Sequence, residues 1–220
     1  MSTKTTTQTD IRLYRVVHET FRRATTRLVD ATAKLQPSTL EPVIRPYWDF
    51  YTAILHHHHH TEDVSVFPAL LAVRPEMRST IDMLEDEHIE LGPNIDAVEI
   101  AVANFVNRPD ESQQHAVHDA AVALRDWFFP HLDLEDERVL PAIAESIPSK
   151  QWNQLDKAAL KSIPRNHLAF AVSALDEVIQ GLPEQDRPTP PPPPIRLMLA
   201  VSWRKRWSAL VQPLLVRAWR

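Results

Sequence analysis

The stretch Leu55-His-His-His-His-His-Thr-Glu-Asp-Val-Ser-Val-Phe-Pro-Ala-Leu70 places five consecutive histidines just ahead of a glutamate. The run lies inside the chain and follows an apolar, helix-like segment, so we interpret it as native sequence and not as a purification tag. Its informative part is the spacing of four between His58 and Glu62. Residues i and i+4 of a helix share one face, so this imidazole and this carboxylate can hold one metal ion or two neighbouring ions.

The same spacing returns at His131 and Glu135. In both copies a proline follows the glutamate by six residues, at Pro68 and at Pro141. One His-x3-Glu pair is weak evidence for a site, because helices contain many such pairs. Two copies with matching prolines indicate an internal repeat.

Two single histidines extend this repeat. His18 and His88 are 70 residues apart, close to the 73 residues that separate His58 from His131. Each lies on the apolar face of a predicted helix. Two helix pairs related by a pseudo-twofold axis would therefore surround one centre with four histidines and two glutamates.

Apolar residues recur at helical spacing over four long segments that are separated by turn sequences. The predicted helices span residues 11–35, 47–71, 76–106 and 111–145. Residues 36–42 are predicted to be a connector, Gly92-Pro93 to kink or break the third helix, and Pro130 and Pro141 to interrupt the fourth. Long amphipathic helices with short loops predict an all-α fold, an up-and-down antiparallel four-helix bundle with additional C-terminal helices.

We assign the bundle to residues 1–147, accessory helices to 148–181, a proline-rich connector to 182–194, and a basic amphipathic helix to 195–220. That last segment contains six basic residues and no acidic one, in a chain whose net charge is −5. Such a helix can lie on an anionic membrane, mediate self-association or pack on the acidic bundle, and we favour packing on the bundle.

Composition narrows the class of protein. The 220 residues include no cysteine, which excludes disulfides, iron–sulfur clusters and thiolate zinc sites. Any metal must therefore be held by nitrogen and oxygen atoms. The acidic first 194 residues argue against nucleic acid as a partner. The polar N-terminus and the lack of a long apolar run predict a cytoplasmic protein with no membrane span.

The predicted centre is chemically suited to metal ions. Six ligands exceed what one tetrahedral zinc ion takes, and two carboxylates can bridge, so we predict two metal ions, iron first and manganese second. The alternative is a bundle without metal. It is disfavoured because each buried carboxylate without a partner costs on the order of several kcal/mol.

These motifs resemble the hemerythrin HHE cation-binding domain over about residues 11–145. The resemblance rests on His18, His58-x3-Glu62 with Phe67-Pro68, Glu87-His88, and His131-x3-Glu135 with Leu140-Pro141. It implies a non-haem di-iron centre with an oxo or hydroxo bridge, in which manganese or zinc rank behind iron. By the same resemblance, Glu62 and Glu135 would bridge the irons, and His18, His58, His88 and His131 would be terminal ligands.

The sequence departs from the oxygen-carrying members of that family. Carriers have a His-x3-His pair on the third helix, whereas here His88 has Leu84 and Gly92 at four residues on either side. The second carboxylate is a glutamate at +4, where carriers use an aspartate at +5. The missing ligand either leaves an open position or is replaced. The candidate replacements are His59 first, and then Glu85, Tyr14, Tyr51 and His167.

Other residues near the motifs are assigned outside the ligand set. Asp63, Asp133 and Asp136 can either hydrogen-bond the ligand imidazoles or face solvent. His56, His57 and His60 are predicted not to be ligands.

The predicted function is a di-iron protein that binds or reacts with O2, peroxide or NO, in oxidative-stress response or sensing. Catalase-like decomposition of peroxide is its candidate enzymatic activity. The alternative is a non-catalytic module for iron or oxygen binding, storage or sensing. A ferritin-like carboxylate protein with two metals ranks lower, because only Glu85-x-x-His88 fits its motif.

Overall fold

A computed structural model describes residues 8–215, and every regular element in that range is helical. The predicted all-α fold is confirmed. The four bundle helices are α1 (Arg12–Lys34), α2 (Pro37–Thr61), α4 (Arg78–Asn107) and α5 (Glu111–Leu134). Helix α1 packs against α2 and α5, and α4 packs against the same two helices, which closes the bundle.

Two of these helices continue through a π turn into a short helix. Helix α2 passes through Glu62–Val66 into α3 (Phe67–Leu71), and α5 passes through Glu135–Val139 into α6 (Leu140–Ser146). The wider turn suits the prolines, because a proline in a regular α-helix clashes with the carbonyl four residues earlier. Both π turns therefore begin at a glutamate of the repeated motif. A 3₁₀ turn, Pro75–Met77, precedes α4.

The predicted connector over residues 36–42 is wrong, because α2 already begins at Pro37. Pro42 and Pro46 lie inside this helix on its exposed face, one turn apart. Each leaves a carbonyl without its helical N–H donor, and water can satisfy an exposed carbonyl. On the opposite face Leu40 and Ile44 are fully buried, so packing supports the helix through both prolines.

The predicted kink or break at Gly92-Pro93 does not end the third helix, since α4 is continuous from Arg78 to Asn107. Pro93 lies on the solvent side, and the residue whose carbonyl it leaves unpaired, Ile89, is 76% exposed. Leu91 and Ile95 are buried on the other side. The fourth predicted helix likewise runs through Pro130, and only the π turn before Pro141 interrupts it.

Buried apolar side chains form two clusters that are separated along the bundle. Leu55 of α2 belongs to the first cluster, and Val66 of the π turn after α2 belongs to the second. Phe128 of α5 and Val139 of the π turn after α5 are divided in the same way. The repeated His-x3-Glu motifs fall between these positions. A polar layer therefore crosses the bundle between two apolar cores.

The remaining helices pack on the outside of the bundle. They are α7 (Ser149–Ser162), α8 (Arg165–Gly181), α9 (Pro193–Met198) and α10 (Arg204–Val211), with a π turn at Leu199–Trp203 and 3₁₀ turns at Glu184–Asp186 and Gln212–Leu214. The indole N–H of buried Trp207 donates to Glu177 at 2.5 Å, and Glu177 also accepts from Arg27 of α1. Helix α10 is thereby fixed to α8 and the bundle.

The described range leaves out both ends of the chain. The first seven residues of the segment assigned to 1–147, and Arg217 and Arg220 of the basic segment, lie outside the described residues. Within residues 8–215, no helix has both the length and the hydropathy that a membrane crossing requires.

Candidate metal centre

The polar layer contains all six ligands that the sequence predicts. Each side chain is at most 8% exposed, and Glu135 and His18 are fully buried. The two glutamates occupy the first position of their π turns, and their partner histidines lie in the last turn of α2 and α5. His18 of α1 and His88 of α4 complete the layer from the other two helices.

The donor atoms form two groups, in each of which they lie within 4.8 Å of one another. The two-histidine group consists of His18, His58, Glu62 and Glu135, and the three-histidine group consists of His59, His88 and His131.

The two carboxylates of the two-histidine group also face the three-histidine group. Glu62 Oε1 is 3.3 Å from His58 Nε2, and its Oε2 is 3.7 Å from His88 Nε2. Glu135 Oε2 is 3.5 Å from His18 Nε2 and 3.6 Å from His131 Nε2. Each glutamate therefore faces one histidine of each group.

His59 of α2 lies beside His88, the histidine that has no His-x3-His partner on its own helix. Its ring stacks on His88 with centroids 4.2 Å apart, and the residue is 6% exposed. It was the first candidate for the missing ligand, because it follows His58 by about 100° around the helix. The structure brings it into the three-histidine group.

The hydrogen bonding of these side chains fits a cation at their centre. The buried atoms without a hydrogen-bond partner include Nε2 of His18, His58, His59, His88 and His131, Oε2 of Glu62 and both oxygens of Glu135. Leaving one buried polar atom unpaired costs about 1–3 kcal/mol. All of these atoms lie in the two groups, and imidazole nitrogen with carboxylate oxygen is a donor set for divalent iron, manganese or zinc. The residues present therefore fit metal ions.

Three of the imidazoles are held from behind by carboxylates. The Nδ1–H of His18 donates to Asp136 at 2.8 Å, that of His88 to Asp63 at 2.8 Å, and that of His131 to Glu87 at 2.7 Å. This pairing leaves the lone pair on Nε2, which faces the centre. Of the two roles left open for Asp63 and Asp136, orienting an imidazole is the one the structure shows.

Asp136 is itself held by Arg22, at 2.8 Å, and Arg22 also reaches Asp133 at 2.7 Å. Asp133 does not contact a candidate ligand directly. Sequence analysis missed both Arg22 and the role of Glu87. Arg22 lies one turn after His18 on the same helix face, and Glu87 immediately precedes His88; these were the available signals.

Burial sets the protonation of the centre. It lowers the pKa values of His18, His58, His59 and His88, and it lowers the pKa of His131 to about 3. It raises the pKa of Glu62 to about 8, and burial together with the nearby Glu62 carboxylate raises that of Glu135 well above its usual range. Neutral imidazoles are the form that binds metal, whereas the glutamates must lose a proton.

Tyr14 adds a hydroxyl on one side of the centre. Its O–H donates to Glu62 Oε1, and its ring meets the edge of the His18 ring at 5.1 Å. Burial and the charge of Glu62 raise the pKa of Tyr14, so it keeps its proton. The repeat places Leu84 at the matching position of the second half. Tyr14 therefore distinguishes the two-histidine group from the other.

The remaining candidates lie outside both groups. The hydroxyl of Tyr51 pairs with Thr25 at 2.8 Å, His167 of α8 lies near Phe50 with ring centroids 6.3 Å apart, and half-buried Glu85 is not among the convergent donors. The other histidines of the run also point elsewhere. His56 and His60 are exposed, and His57 donates to the carbonyl of Ala159 at 3.0 Å.

Comparison with known families gives one match. The family model described as the hemerythrin HHE cation binding domain matches residues 9–143, more than half of the chain. The matched range contains every residue of the two groups. No curated protein and no solved structure matches the chain.

Proposed function

The chain belongs to the hemerythrin HHE cation-binding family, and on that premise we propose that it is a non-haem di-iron protein that reacts with peroxide, O2 or NO. Eight buried donor atoms that lack hydrogen-bond partners and converge from four helices carry this proposal. A single cation would leave part of this set unpaired, because the donors fall into two groups joined by two carboxylates.

The ligand assignment follows the two groups. His18 and His58 would hold one ion, and His59, His88 and His131 would hold the other. Glu62 and Glu135 would be shared, since each faces a histidine of either group. The donors are nitrogen and oxygen, which iron accepts readily, and manganese is the second choice.

Bound iron would supply one-electron redox chemistry and a coordination position for a small oxygen or nitrogen ligand. The two-histidine group has one imidazole fewer than its partner, which makes it the more open side. There the Tyr14 hydroxyl keeps a proton beside the centre, because burial raises its pKa, and it donates a hydrogen bond to the Glu62 carboxylate. Buried Phe21 and Phe128 pack against the rings of His58 and His131 and give this layer an apolar border.

Peroxide decomposition is the activity that this arrangement favours. Two molecules of hydrogen peroxide would yield two of water and one of O2, and protons must move to the oxygen atoms that leave as water. A buried hydroxyl hydrogen-bonded to a candidate bridging carboxylate is suited to that proton transfer. A module that only stores or senses would not require it.

Hydrogen peroxide turnover by the iron-loaded protein tests this function. The wild-type protein is expected to release O2, and Tyr14→Phe is expected to slow the release by about 10²-fold, the lower end of general acid–base contributions, while it keeps its iron. Tyr47→Phe is a matched control, because Tyr47 is buried and its hydroxyl donates to the Ala24 carbonyl, away from the centre. An iron-loaded wild type without turnover would leave the non-catalytic alternative.

A further inference from the structure

A cavity of about 150 Å³ lies between bundle helices α1 and α2 and the outer helices α7 and α8. Most of its wall is apolar and includes Val17, Phe21, Phe50, Ile54, Leu160 and Leu175. None of the described residues that line it is a lysine or an arginine, and Asp156 is its one acidic residue. The cavity is partly open to solvent, since the wall residues Val17, Ile54 and Leu160 are only half-buried.

The outer wall of the cavity is not part of the family match. That match ends at residue 143, whereas α7 begins at Ser149 and α8 at Arg165. This chain therefore adds helices that create a compartment beside its bundle.

Helix α7 lies across the cavity and has few contacts that fix it to the bundle. Trp152 is its one buried residue within the described helix, and the indole nitrogen of Trp152 has no hydrogen-bond partner. His57 of α2 donates to the Ala159 carbonyl at 3.0 Å and holds the last turn of the helix. The same tripeptide, Ser-Ile-Pro, precedes α7 and follows it, at residues 146–148 and 162–164. Both prolines have extended backbone, so the helix is bounded by two stiff corners.

The inner end of the cavity reaches the candidate metal centre. Tyr14 and His58 belong to its wall, and the Tyr14 ring is 5.6 Å from that of Trp152. An occupant would therefore lie against the two-histidine group and not against the three-histidine group.

We propose that this cavity is a binding site for a small, neutral, apolar organic molecule of about the size of one aromatic ring. An engineered cavity of about 150 Å³ with apolar walls binds benzene or xenon, which sets the size of the occupant. The wall offers no lysine or arginine that could pair with an anion, and burying an unpaired charge is costly. The occupant is therefore expected to be neutral. Burial also raises the pKa of Asp156 to about 6, as expected beside an apolar space. The site goes beyond the proposed function, since it requires no metal and no turnover.

Calorimetric titration of the protein as purified with benzene tests the proposal. We expect saturable binding of one benzene per chain with a Kd of about 1 mM or tighter. Methyl resonances of Ile54 in the wall should shift on binding through the ring current, whereas those of Ile100, which is 62% exposed, should not. Absence of saturable binding, or equal shifts at both isoleucines, would overturn the proposal.

Matched substitutions locate the site independently. Ala159→Leu on α7 and Ala174→Leu on α8 each add a side chain to the wall and should weaken benzene binding at least tenfold. Ala158→Leu makes the same change at an exposed position of α7 and should leave the Kd unchanged. Metal content should be the same in all folded variants. If Ala159→Leu and Ala174→Leu bind benzene as tightly as the wild type does, this cavity is excluded as the site.

Discussion

At the scale of single residues, two side chains break the symmetry between the halves of the bundle. His59 belongs to the three-histidine group, and the repeat places Leu132 at its counterpart. Tyr14 approaches the two-histidine group, and its counterpart is Leu84. One side of the centre is thus richer in imidazole and the other has a hydroxyl. The two ions would therefore differ in coordination, and small ligands would favour the ion of the two-histidine group, beside the Tyr14 hydroxyl.

Replacing His59 by alanine tests its assignment as a ligand. We expect His59→Ala to bind less metal than the wild type, because the variant removes one of the three imidazoles of the three-histidine group. The neighbouring His60→Ala is the control, since His60 is exposed and has no place in either group. Metal per chain measured by mass spectrometry should distinguish the two variants. Equal and full metal content in both would remove His59 from the ligand set.

Metal uptake should release protons, and the sign follows from the raised pKa of Glu62. With a pKa of about 8, this carboxyl is protonated in the metal-free protein near pH 7 and must lose its proton to bind a cation. Apparent metal affinity should therefore rise with pH up to about 8. Proton release per chain, followed with an indicator in weak buffer, should be larger near pH 7 than near pH 9. A release that grows with pH would contradict this protonation state.

The six candidate ligands could be named from the sequence because their spacing is local: His-x3-Glu fixes one helix face, and the repeat supplies the other histidines. It also ranked His59 first among replacements. Arg22 was missed because it acts through Asp136, 114 residues away in sequence, and such long-range pairing has no local signature. Tyr51 and Glu85 were named from helix faces, which do not fix the position along the bundle, and His167 was named from a helix outside the bundle.

At the scale of helices, the main errors came from proline. Pro42 was predicted to lie in a connector and Pro93 to kink or break a helix, but Pro42 lies within α2 and Pro93 lies within the continuous α4. Local rules assign proline a cost of about 3 kcal/mol, but the buried faces of these helices outweigh it. The π turns were also missed, although the shared proline at +6 was noticed. In both copies the glutamate begins the π turn, and the proline lies two residues after the turn ends.

Replacing Pro93 by alanine should stabilise the protein. The substitution restores a helical hydrogen bond to the exposed Ile89 carbonyl, with an expected gain of about 1–3 kcal/mol, less the entropy that proline removes from the unfolded chain. Urea denaturation would measure it, with metal content unchanged. Asn94→Ala, at the next residue, is the control for a general rise in helix propensity. A loss of stability in Pro93→Ala would mean that α4 is shaped around its proline.

At the scale of the whole molecule, the C-terminal helices enlarge the core of the bundle. Ala171, Ala174 and Trp207 belong to the same apolar cluster as Phe21 and Leu55. Opposite charges support this packing, since Arg204 pairs with Asp176 at 2.6 Å and Arg27 pairs with Glu177. Packing on the bundle was the favoured interpretation of the basic helix, from its leucine and tryptophan residues on one side and its charge on the other. Its exposed residues, including Leu197 and Val201, could not be predicted from periodicity because two helices and a π turn share that stretch.

The central claim is that the polar layer holds two iron ions. Elemental analysis together with an optical spectrum, on protein purified from iron-supplemented cells, tests it most directly. The account predicts about two irons per chain and near-ultraviolet charge-transfer absorption of ferric iron, both lost in Glu135→Ala, whose carboxylate faces both groups. One zinc per chain, no metal, or full iron content in Glu135→Ala would contradict it.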